Sequence, residues 1–220
     1  MDLTSLIIST IMISVSGALS PGPLTASAIT IGTKKFAKGG FLIAFGHMLF
    51  EFPYVLVIAL LSSSVSSFLK NVNVKYALTL MVLGFIFFFS YLVIREGIDV
   101  IKAGFSRINK SKEYTLNPIL IGVILTGLNP YFLLWWLSVG LPLIQVSMNA
   151  GLPLLLLMYV AHVWMDYFWL TVMGFAGEGS VKILKSKGYG SFLILLGLIL
   201  ALFAINMSLE TFLNFSLLPF

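Results

Sequence analysis

The sequence predicts an all-α integral membrane protein. Its six transmembrane helices form two inverted-topology three-helix repeats, with the first and fourth helices broken. Three observations carry this reading. Of 220 residues, 59% are hydrophobic and 10% charged, with a mean hydropathy of +1.05; a soluble domain carries about 25% charged residues. Charges and turn residues cut the apolar chain into lengths near the roughly 20 residues that cross a hydrocarbon core. The only two histidines, His47 and His162, each carry a carboxylate four residues on, Glu51 and Asp166, in the second and fifth of those lengths.

No charge occurs from Leu3 to Thr33, and Ser20-Pro21-Gly22-Pro23 interrupts that run. Proline lacks the backbone donor and clashes with the preceding turn, so the spacing predicts a helix to about Leu19, a break, and a short continuation to about Ile31. Asp2 and the lack of a basic leader make the start a poor signal peptide. Lys34, Lys35 and Lys38 form the first connector, and the second span runs from about Gly40 to Leu61 with Glu51 near its middle. The Ser/Asn-rich stretch from Ser62 to Val74 reads as a loop, and Tyr76 to Ile94 as the third span. Between Arg95 and Glu113, Ile98, Ile101, Phe105 and Ile108 recur at helical spacing, which predicts a stretch lying on the membrane surface.

From Tyr114 to Met165 the chain has no Asp, Glu, Lys or Arg. As one helix this length would extend about 78 Å, well beyond a bilayer. A turn is therefore expected at Ser147 to Pro153. The fourth span covers about Asn117 to Ile144, interrupted at Asn129-Pro130, and the fifth about Pro153 to Ala176. Lys182, Lys185 and Lys187 precede a sixth span from about Gly190 to Met207, and the apolar tail fits the interface. The domain division is residues 1–96, a cytoplasmic connector 97–115, and residues 116–220.

Eleven of the 13 Lys and Arg fall in the connectors after spans one, three and five. Basic residues are retained in the cytoplasm, so a multi-pass protein of the cell membrane with both termini outside is expected. The same scatter explains the net charge of +5 without nucleic acid. No cysteine is present, which excludes disulfides, thiolate metal sites and dithiol chemistry. His-x-x-x-Glu is not His-Glu-x-x-His, and no nucleophile has a recognisable setting, so neither an enzyme nor a cofactor is expected.

Ionisable groups within a membrane mark substrate or ion pathways, because hydrocarbon solvates neither charges nor unpaired donors. At i and i+4, His47 shares a helix face with Glu51, and His162 with Asp166. One reading is that each acid pairs with its own histidine and locks packing, although buried ion pairs contribute little net stability. The other is that both acids face one wet cavity. Corresponding Pro-interrupted helices in two inverted halves point to a transporter's central site, where half-helix N-termini hold an anionic group. The candidate binding residues are therefore Pro21, Gly22, Pro23, His47, Glu51, Asn129, Pro130, His162 and Asp166. Trp135, Trp136, Trp164 and Trp169 read as packing or interface anchors.

Ser20-Pro-Gly-Pro23, the small-residue stretch after it, the basic connector, and Gly40 and Gly46 resemble the lysine exporter (LysE/RhtB) family. Asn129-Pro130 with Trp135 and Trp136 resembles that family's Asn-Pro segment, and the likeness covers essentially the whole chain. Leu24 stands where Asn or Asp commonly follows the second proline. The resemblance implies export of amino acids or similar small zwitterions, coupled to an ion gradient with H+ as the expected ion. It is compatible with a homo-oligomer without specifying one. The alternative from the residues themselves is a divalent-cation transporter, with two His and two carboxylates as ligands for Mn2+ or Zn2+.

Overall fold

The computed structural model describes residues 3–19, 22–34, 38–69, 71–103 and 117–215. Among these residues the regular structure is all helix. Helix α1 (Leu3–Ala18) and helix α2 (Pro23–Thr33) bend by 67° at the first break. Pro23 starts α2, where its missing N–H leaves no helical bond unmade. Helix α3 (Gly39–Leu60) contains Pro53 two residues after Glu51. Next come α4 (Ser62–Leu69) and α5 (Val72–Ala103).

The second half opens with α6 (Pro118–Gly127), α7 (Pro130–Ser138) and α8 (Leu141–Asn149), and α6 and α7 bend by 60° at Asn129. The final helical run, Leu152–Leu213, is interrupted at Lys185, whose φ of 53° and ψ of −175° are not helical. It therefore comprises two spans, α9 (Leu152–Gly179) and α10 (Lys185–Leu213). By length and composition α3, α5, α9 and α10 can each cross a bilayer. The bent pairs α1–α2 and α6–α7 bring the number to six where each is a single broken span.

Three expectations need correction. Ser62–Leu69 is a helix, not a loop. Ile98 and Ile101 do not form a separate surface helix; they continue α5, which packs on α10 where Gly97 meets the Gly190 carbonyl. Phe105 and Ile108 lie outside the described residues. The fourth span is also interrupted a second time, between α7 and α8. The expected turn before Pro153 is present, with Gly151 at φ 110°, a conformation that favours glycine.

Close approach of backbones sets the rotation of α3. A Cβ on Gly46 would stand 2.0 Å from the Ile119 carbonyl oxygen, and one on Gly40 2.1 Å from that of Leu170. Only glycine permits such contacts, which clamp α3 between α6 and α9. His47 follows Gly46 directly, so this clamp turns its side chain toward α6 and α9 and away from lipid. Leu49 and Val57, on other faces of the same helix, are exposed.

Candidate functional site

The two His–acid motifs meet at the centre of the molecule. Glu51 is fully buried, His47 and His162 are each 3% exposed, and Asp166 is 7% exposed. His47 Nε2 lies 3.2 Å from Glu51 Oε1 and 3.9 Å from Asp166 Oδ1. His162 Nε2 lies 3.3 Å from Glu51 Oε1 and 3.3 Å from Asp166 Oδ2. Each imidazole thus stands between both carboxylates rather than beside its own alone. Purely local pairing would have produced two separate couples, and the structure has one four-membered cluster.

The far nitrogen of each ring is held by a hydroxyl from a broken helix. His47 Nδ1 is 2.8 Å from Thr126 Oγ1 on α6, and His162 Nδ1 is 2.7 Å from Ser14 Oγ on α1. Thr126 Oγ1 donates to the Gly122 carbonyl at 2.6 Å. Its single proton is therefore spent, and His47 Nδ1–H is the donor to it. A second proton, on Nε2, would give Glu51 and Asp166 a cation to share. Ring walls complete the enclosure: Trp136 meets His162 edge-on at 4.7 Å, and Phe132 meets His47 at 5.1 Å.

The carboxylates are solvated differently. Trp136 Nε1–H donates to Glu51 Oε1 at 2.9 Å, and Tyr159 O–H donates to Glu51 Oε2 at 3.1 Å. Asp166 Oδ2 is buried without a hydrogen-bond partner, although His162 Nε2 is near it. Proximity there lacks the alignment of a hydrogen bond.

A cavity of about 60 Å³ adjoins the cluster, lined by His47, Glu51, His162 and Asp166 and by residues of both breaks. A water needs about 10–15 Å³, so a few waters fit. Gly22, Pro23 and Asn129 line the cavity, whereas Pro130 is buried beside it in the first turn of α7. Pro21 lies outside the described residues.

The two breaks differ as sharply as the acids. Asn129 caps α7 with its own side chain, accepting from the N–H groups of Tyr131 and Phe132 at 3.1 and 3.4 Å. Gly22 at the start of α2 has no side chain to offer, and its helix carries no side-chain cap. The positive end of the α2 dipole therefore faces the cavity without a side-chain cap.

Sequence reasoning missed Ser14, Thr126, Tyr159 and Trp136. Tyr159 was findable, since it precedes His162 by three residues and shares its face. Trp136, read as packing, donates to Glu51. Trp169 donates to Thr25 Oγ1, and Trp164 is exposed at the middle of α9, away from the span ends where interface anchors sit.

Donor atoms of His47, Glu51 and Asp166 lie within 4.8 Å of one another, a set that could ligate a cation. Yet Trp136 N–H, Tyr159 O–H and both imidazoles already converge on Glu51, so its carboxylate is surrounded by donors and not left open to a cation. The metal alternative finds no support here.

A buried cluster of two histidines and two carboxylates thus lies beside a cavity, flanked by two broken apolar helix pairs. The LysE type translocator family model matches residues 15–211, and the chain belongs to that family. Its members are transporters of small molecules, not enzymes, and they work in a lipid bilayer. No curated protein and no solved structure matches the chain.

Proposed function

We propose that this chain is a secondary transporter that exports amino acids or similar small zwitterions in exchange for protons. The observation that carries the reading is the convergence of both His–acid motifs and both helix breaks on one buried cavity. A zwitterion suits the two unlike features of that cavity. Its carboxylate meets the uncapped start of α2 at Gly22 and Pro23, and its ammonium meets Asp166. A carboxylate that takes either a proton or an ammonium, but not both at once, couples the two in opposite directions.

Six spans in two inverted repeats, residues 1–96 and 116–220, are part of this reading. Exchange of partners supports it: His47 of the second span bonds a hydroxyl of the fourth, and His162 of the fifth bonds a hydroxyl of the first. With the basic connectors in the cytoplasm, both termini lie outside the cell membrane. The small cavity represents a closed state, and the repeats rock to open it on either side.

Purified protein in liposomes, with an imposed pH gradient and radiolabelled L-lysine or L-leucine, tests the proposal. Gradient-dependent accumulation of at least one probe is expected. Movement of neither, or movement indifferent to the gradient, would contradict it.

A further inference from the structure

A second cleft, of about 310 Å³, lies along the remainder of α2. Ser27, Thr30 and Lys34 line it from α2, Phe89 and Glu96 from α5, and Leu193 from α10. The first turn of α2 lines the central cavity, and its later turns line the cleft. From Pro23 to Lys34 a helix rises about 16 Å. That is half of the roughly 30 Å hydrocarbon core. The cleft thus occupies the half-thickness between the central cavity and the side bearing the basic connectors.

Opposite charges stand at its outer end. Burial lowers the Lys34 ammonium from its ordinary value, with Glu96 opposing the shift across the cleft. Tyr189, itself buried, stands against the Thr30 and Thr33 hydroxyls and ties α10 to the same face of α2. Two side chains partition the cavities. Tyr131 lines the central cavity and packs on the cluster containing Val93 and Leu193, which line the cleft. Leu24 also lines the central cavity, and it packs beside Ile31 and Ile121 of the cleft.

We propose that this cleft is a loading site for the zwitterion, in which Lys34 takes the carboxylate and Glu96 the ammonium before passage between Leu24 and Tyr131. The proposal rests on the exporter reading above. Charges that merely locked α2 to α5 would need no open volume between them, and partly exposed ion pairs contribute little stability. A zwitterion in the cleft would meet each of these charges with its opposite.

The test is initial-rate transport of L-lysine and L-leucine by full-length protein in vesicles of known orientation. Lys34→Gln and Glu96→Gln should each raise the half-saturating concentration on the basic side about tenfold, with maximal rate within about twofold of wild type. In the cysteine-free chain, Ser27→Cys should react with a thiol reagent from the basic side and be protected by saturating L-lysine. Unchanged half-saturation accompanied only by lower thermal stability would mark the pair as a lock and overturn the proposal. So would labelling of position 27 that substrate does not slow. If wild type moves neither probe, the exporter reading fails and the loading site with it. If wild type transports while the cleft variants behave normally, the loading site alone fails.

Discussion

Glu51 and Asp166 hold equivalent places in the sequence, each four residues after one of the two histidines, yet the fold treats them differently. Glu51 is surrounded by donors: an indole, a phenol and two imidazoles converge on its two oxygens. Asp166 has one oxygen buried beside the cavity with no hydrogen bond. A carboxylate with donors on both oxygens is an anchor that fixes the geometry around it. One with a vacant acceptor is available to something that arrives. The two His–acid motifs bring two acids to one site, and the aromatic residues of α7 and α9 distinguish them.

The contrast can be broken most forcibly at Glu51. Glu51→Gln leaves both imidazoles short of an anion and turns amide hydrogens toward Trp136 or Tyr159. Removing one partner of a buried charge cluster costs about 3–5 kcal/mol. A large loss of thermal stability in detergent is expected, measured against the shift for Asp166→Asn. Equal shifts for the two variants would erase the distinction.

Tyr159→Phe and Trp136→Phe sharpen it at smaller scale. Each removes one hydrogen bond to a charged group, worth about 1.5–3 kcal/mol, and Trp136→Phe adds a packing loss that the Glu51→Gln background retains. Denaturation should show the hydrogen-bond loss in wild type and almost none of it in the Glu51→Gln background, most cleanly for Tyr159→Phe, a coupling that double-mutant cycles measure. Full additivity would mean that the two donors do not act through Glu51.

The breaks give the mildest effect. Asn129→Ala deletes the cap of α7 and should cost about 1 kcal/mol. Substrate affinity should change little, because the N–H groups it frees were never offered to substrate. If Asn129→Ala instead weakened half-saturation strongly while stability held, the second break, and not the first, would be the carboxylate site.

Much of this site was legible in the sequence. A charged pair at i+4 inside an apolar run has few readings in a bilayer, and Pro23 and Asn129 announce their breaks through backbone chemistry alone. The rotation of each helix was not legible. Lipid is as apolar as a protein core, so Leu49 and Val57, facing lipid, look no different in sequence from buried Val55 and Ile58. For the same reason buried Trp136 and exposed Trp164 could not be told apart. What settles the rotation of α3 is the pair of contacts at Gly40 and Gly46, and glycine spacing signals close approach without naming the partner. The continuation of α5 past Arg95 was hidden by its polar surface, since charged residues there suggested a connector while Gly97 was packing on α10.

The central claim is that Asp166 is the group that exchanges proton for substrate. It is tested most directly by pH-gradient-driven accumulation of L-lysine and L-leucine in liposomes containing Asp166→Asn, normalised to folded protein. The account predicts loss of gradient-driven accumulation by at least about 100-fold, the scale of about 2.7 kcal/mol, while the thermal midpoint stays near that of wild type. Accumulation at the wild-type rate by folded Asp166→Asn protein would contradict it.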